Sequence, residues 1–147
     1  MSEAGERVTS PVPPWFRQRV PYVALALLTI ALGLAVHLRG RALDPAVRDI
    51  LGDALWASMI HWWLGALAPR ASTLARAGVA IGICFAVEIG QLYRAPWIDA
   101  IRRTTVGHLL LGSDFFPRDL AAYALGVLLA ALAAQFVMDG IRGALAN

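Results

Sequence analysis

The stretch FAVEIGQLYRAPWIDAIRRTT, residues 85–105, places Glu88 and Gln91 in an apolar run and Asp99, Arg102 and Arg103 just beyond it. A carboxylate at bilayer depth is unfavourable by about 3 kcal/mol on insertion scales, so it calls for a partner or a task. Arg102 offers a planar guanidinium that grips phosphate or carboxylate bidentately, and Asp99, one helical turn earlier, would orient it. Glu88 and Gln91 would form the floor of a pocket and accept hydroxyl or amine donors, while Asp53, Thr104, His108 and Asp119 add further polar groups. Glu88 or Asp53 could also act as a general base. Thr104 and Thr105 are the available nucleophiles, but nothing in the sequence sets an activating base beside them, so no catalytic residue is assigned. The alternative for Glu88 and Gln91 is structural, as buried polar groups that join helices by hydrogen bonds. Histidine and carboxylate pairs at metal-binding spacing are absent, as are the glycine patterns of nucleotide folds and the serine elbow, so neither metal nor cofactor is implied.

These groups need elements to carry them. The chain has 147 residues, 59% of them hydrophobic, and a mean hydropathy of +0.61. Its charges fall between long apolar runs, each near the roughly 20 residues that cross about 30 Å of hydrocarbon. The expected fold is all-α, a four-helix transmembrane bundle with spans near 20–38, 50–68, 74–94 and 118–138 and a short interfacial or re-entrant helix between spans 3 and 4. Residues 1–19 read as a flexible tail, 20–138 as one membrane domain and 139–147 as a short C-terminal tail. Four spans bring Asp53, Glu88 and Asp119 to one depth at one end. Gly107 and Gly112 permit the turn of the short helix. SDFFPRD supplies the start of span 4, with Ser113 or Asp114 as cap, Pro117 in the first turn and Asp119 at the positive end of the helix dipole. Gly78, Gly82, Ala86 and Gly90 form a four-residue stripe on span 3, and Gly126, Ala130 and Ala134 another on span 4. Such stripes let helix backbones approach closely, within one bundle or in an oligomer.

All 13 basic residues are arginines, and they are scattered over short flanks rather than gathered on one face, which argues against nucleic acid despite a net charge of +3. The lone Cys84 permits no internal disulfide and reads as a small buried side chain. His61 reads as a hydrogen-bonded core histidine, His37 as interfacial, and Trp56, Trp62 and Trp63 as interfacial anchors or partner contacts. Arginine counts leave the orientation undecided until those between Arg94 and Arg118 are discounted as site residues; the N-terminus is then expected on the cytoplasmic side.

The segments LGDALWA at 51–57 and E-x-x-QLYRAPWIDAIRRTTVGHLLLGSDFFPRDLAAYALG at 88–126 resemble the small bacterial membrane proteins of domain of unknown function 2809, over about residues 20–138. More distantly, the layout is similar to VanZ-like proteins. The resemblance implies a multi-pass protein of the bacterial cytoplasmic (inner) membrane, with signature positions at Asp53, Glu88, Gln91, Asp99, Arg102, Asp119 and Tyr123. It implies no activity. The expected role is to bind a membrane lipid or lipid-linked envelope precursor, through an anionic headgroup, at the outer face. The alternatives are an enzyme acting on such a substrate and an accessory subunit of a membrane complex.

Overall fold

The computed structural model describes residues 14–112 and 115–146. The fold is all-α, 85% helical, in the order α1 (Pro14–Arg39), a 3-10 turn (Gly40–Ala42), α2 (Pro45–Leu67), α3 (Thr73–Gly90), α4 (Pro96–Arg102), α5 (Thr105–Leu111) and α6 (Pro117–Ala146). Local chemistry accounts for most of the starts. Asp44 accepts the Ala46 N–H at 2.9 Å with Pro45 in the first helical position, and the Ser72 hydroxyl accepts the Ala75 N–H at 3.1 Å. Pro96 and Pro117 open α4 and α6. The expected caps of α6, Ser113 and Asp114, lie outside the described residues.

The long helices alternate in direction. Tyr22 of α1 packs against Gly65 near the end of α2, where a Cβ on Gly65 would overlap the Tyr22 ring. At this closed end Tyr22, Ala26, Trp62, Ala66, Ala130 and Ala134 form one apolar cluster joining α1, α2 and α6. Ala57, Ala80, Cys84, Tyr123 and Val127 form a second cluster joining α2, α3 and α6. Along the seam of α2 and α6, which run parallel, a Cβ on Gly126 would overlap the Ala54 carbonyl oxygen. The Ser58 hydroxyl lies 2.8 Å from that Ala54 oxygen and 2.9 Å from the Gly126 oxygen, so its one proton is shared across the contact. The stripe on α6 is thus a packing surface. The glycines of the α3 stripe are not, since a Cβ on Gly78, Gly82 or Gly90 would meet nothing within 4 Å.

Several expectations are corrected. Among the described residues three helices, not four, are long and apolar enough to cross a membrane: Gln18–Arg39 within α1, Thr73–Gly90 and Pro117–Phe136 within α6. α2 has the length, at 23 residues, but Arg48, Asp49, Asp53 and His61 lower its apolarity. It can carry them because it packs against α1, α3 and α6 and so meets protein on most sides. Of the expected N-terminal tail, residues 1–13 lie outside the described residues and helix begins at Pro14, running through Pro21. α6 likewise continues through the expected C-terminal tail as far as Ala146.

The expected single short helix between spans is two. The break falls at Arg103 and Thr104 because the Thr104 hydroxyl caps α5, accepting the Gly107 N–H at 3.0 Å. Gly107 therefore lies inside α5, where a Cβ would overlap the Ile101 carbonyl oxygen. Gly112 does make a turn, with φ of 62° ending α5.

Candidate functional site

Opposite the closed end, α1 and α2 separate from α5 and α6 around a cavity of about 490 Å³, a volume typical of small-ligand sites. One wall is apolar, with Ile30, Leu34 and Val36 of α1 facing Val106, Leu109 and Leu110 of α5. The other is polar: Asp53 and Trp56 of α2, Gln91 just past α3, and Asp119 and Tyr123 of α6, with Arg48, Asp49 and Arg118 also lining it. Helical spacing sets these groups on shared faces, since Asp49 and Asp53 are one turn apart on α2, as are Asp119 and Tyr123 on α6.

Glu88 lies behind the polar wall, with no exposed surface. Its Oε1 accepts the Phe116 N–H at 2.8 Å, and its Oε2 accepts the Tyr123 hydroxyl at 3.1 Å. One carboxylate thereby joins the end of α3 to the start and second turn of α6. The Tyr123 ring packs on Trp56 with centroids 5.8 Å apart, so α2 is joined to the same pair.

The cations of the rim are shared among the carboxylates. Arg118 donates to Asp49 at 3.3 Å and to Asp119 at 3.4 Å, and Arg48 pairs with Asp49 at 3.7 Å. Asp53 of α2 and Asp119 of α6 line the same wall as two acids. Among the described residues no amide, hydroxyl or guanidinium donates to Asp53. Gln91 is 4% exposed, and its Oε1 has no hydrogen-bond partner among the described residues. An unmet buried carbonyl of this kind costs about 1–3 kcal/mol.

Of the residues singled out from sequence, Asp53, Gln91, Asp119 and Tyr123 line the cavity and Glu88 adjoins them, whereas Asp99, Arg102 and Thr104 are not among its lining residues. Arg102 is buried and caps α3: Nη2 donates to the Gly90 oxygen and Nη1 to the Tyr93 oxygen, both at 2.9 Å. The Gly90 oxygen, at the end of α3, also accepts the Tyr93 N–H at 3.0 Å, and the Tyr93 oxygen lies just past the helix. Asp99 accepts from Arg102 at 3.4 Å and lies 3.9 Å from Arg94. Thr104 is spent on the α5 cap and on the Ile101 oxygen at 2.7 Å. His108 lines the cavity from α5.

Arg48, Asp49, Arg118 and Trp56 were not singled out for the site. Spacing could have found Asp49, one turn from Asp53, and adjacency could have found Arg118 beside Asp119; on the α1 side, Thr29 and His37 also line the cavity, and only His37 was singled out, as interfacial. His61 is fully buried with neither ring nitrogen hydrogen-bonded among the described residues, in place of the expected hydrogen-bonded histidine. Trp62 is core rather than an interfacial anchor, packed near Tyr22 with centroids 6.4 Å apart. No group of three or more histidine, cysteine or acidic side chains able to hold a metal occurs among the described residues.

The polar wall, the Glu88 joint and the Gly126 seam all fall between α2 and α6. The family model described as protein of unknown function (DUF2809) matches residues 42–127, the same part of the chain. The chain belongs to this family. The DUF2809 match is narrower than the 20–138 expected: it takes in the polar wall of the cavity and leaves α1, with its apolar wall, outside. No solved structure matches the chain.

Proposed function

We propose that this DUF2809 protein is a membrane protein whose cavity receives the polar headgroup of a lipid or lipid-linked envelope precursor. The observation that carries the reading is the two-sided cavity, apolar along α1 and α5 and polar along α2 and α6, which suits an amphiphile better than a wholly polar solute. Three helices apolar enough to cross a membrane support it, as do the exposed Leu27, Leu28, Leu74, Leu128, Leu129 and Phe136 on those helices. α2 lies enclosed between them.

The anion contact first expected of Arg102 passes to Arg118 and Arg48, which reach the cavity while Arg102 holds the end of α3. The cavity end is taken as the outer face and the N-terminus as cytoplasmic. In support, Arg94, Arg102 and Arg118 at that end are engaged within the protein, so their charges have a reason other than orienting the chain.

The test is to purify the protein gently and identify the lipids it retains by mass spectrometry, beside Gly52→Phe. Gly52 lines the cavity and has nothing within 4 Å of a built Cβ, so phenylalanine can extend into the space and removes none of its charged groups. Loss of a specific retained species in the variant is the expected result. Identical lipid content in both proteins, with Gly52→Phe folded, removes the reading.

A further inference from the structure

The cavity is lined by three carboxylates, Asp49, Asp53 and Asp119, against two guanidiniums, Arg48 and Arg118. Both guanidiniums are already drawn to Asp49, and Arg118 also to Asp119. Asp53 is left with no ion pair among the described residues, while Asp119 and Arg118 line the same space. A second, independent feature lines the same space: the Gln91 side chain, 4% exposed, with an Oε1 that nothing among the described residues satisfies. Two acceptors without donors on one wall describe what the missing group must bring.

We propose that Asp53 and the Gln91 carbonyl, with Asp119 beside them, form the acceptor set for a primary ammonium group, and that Arg118 and Arg48 take a phosphate attached close to it. The inference rests on the headgroup reading above and narrows it to an aminophosphate. Such a group is zwitterionic rather than simply anionic.

Other occupants fit less well. A bare phosphate or carboxylate would bring a further negative charge beside Asp53, which has no ion pair among the described residues, and like charges at close range repel strongly where water is scarce. A small divalent metal would need a tight set of ligands, and no group of three or more occurs among the described residues. A quaternary ammonium has no N–H to give Asp53 or Gln91, and it is best held by an aromatic cage. Here Trp56 and Tyr123 are tilted at 52° against each other with centroids 5.8 Å apart, a contact between the two rings themselves. A primary ammonium carries three donors, which match carboxylate and amide acceptors. The aminophosphate could belong to a membrane lipid or to a small soluble molecule, and the two sources share this recognition.

The experiment uses the full chain in mild detergent, titrated with dimyristoyl phosphatidylethanolamine, phosphatidylcholine and phosphatidylglycerol, and separately with free phosphoethanolamine. Binding is read by native mass spectrometry and by the shift in melting temperature. Phosphatidylethanolamine is expected to bind about tenfold or more tighter than the other two lipids, a discrimination in reach of charge-assisted hydrogen bonds. Asp53→Asn and Gln91→Leu, where their melting without lipid matches wild type, are expected to abolish the preference. If either variant fails to fold, the ranking of the three headgroups on wild-type protein still decides. Equal binding of phosphatidylcholine, or tighter binding of phosphatidylglycerol, overturns the aminophosphate inference and leaves the broader headgroup reading intact. Binding of free phosphoethanolamine with no lipid bound supports the inference and overturns the lipid reading. No binding of any of the four overturns both.

Discussion

The Tyr123 hydroxyl donates to Glu88 Oε2 at 3.1 Å across 35 residues of chain, and with the Phe116 N–H it gives a fully buried carboxylate two donors. Glu88 is therefore part of the framework of the site as well as its neighbour. Tyr123→Phe removes one donor and is expected to destabilise the protein by about 1–3 kcal/mol. Glu88→Leu leaves the Phe116 N–H and the Tyr123 hydroxyl both unmet and is expected to do more damage, while Glu88→Gln keeps an acceptor and the shape. In the double variant Glu88→Leu/Tyr123→Phe, the losses are expected to sum to less than the two single effects. Thermal melting in detergent reads all four; strictly additive losses would mean that the pair does not interact.

Glycine substitutions separate the two small-residue stripes. Gly126→Ala pushes a methyl into the Ala54 carbonyl and is expected to cost about 1–3 kcal/mol through overpacking. Gly82→Ala meets open space and is expected to be neutral or stabilising by up to about 1 kcal/mol from helix propensity. The same melting measurement checks both, and equal effects would contradict the assigned seam. A change of oligomeric size on Gly82→Ala would show that a second copy covers the α3 stripe.

Arg102→Lys replaces a fork that reaches two carbonyls, on Gly90 and Tyr93, by a single ammonium. A loss of stability of about 1–3 kcal/mol is expected. Arg103 is exposed, and Arg103→Lys is expected to be neutral. The readout that distinguishes a cap from a ligand clamp is lipid retention: for Arg102→Lys it should follow the folded fraction rather than fall beyond it.

Orientation is testable by labelling. In a Cys84→Ala background, Arg103→Cys is expected to react with an impermeant thiol reagent added to intact cells, and Ser72→Cys is not, since the two exposed positions lie at opposite ends of the long helices. The reverse pattern overturns the proposed orientation.

Much of the fold was legible because apolar runs bounded by charges announce long helices; the starts expected near 50 and 74 made no use of Asp44-Pro45 and Ser72, the caps that set them at Pro45 and Thr73. The status of α2 was harder to read. Its charges look like those of a membrane span interrupted by a site, yet they are tolerated because neighbours enclose the helix, and enclosure is a tertiary fact. The lining of the cavity was legible where residues share a helix face, as Asp119 and Tyr123 do. Arg102 and Thr104 were expected there and are not, since their side chains are taken up by backbone groups of their own neighbourhood: a guanidinium facing backbone carbonyls has the same local sequence as one facing a ligand.

The Glu88 joint also carries a consequence for how the protein is made. In a membrane, the carboxylate on α3 enters hydrocarbon as the chain emerges, whereas its donors, the Phe116 N–H and the Tyr123 hydroxyl, are translated later. Until α6 arrives, α3 holds an acid with neither of its native partners, a condition unfavourable by about 3 kcal/mol at bilayer depth. Integration of α3 and α6 is therefore coupled across the α4–α5 segment. A nascent chain that stalls before residue 116 would keep the Glu88 carboxylate without either of those donors.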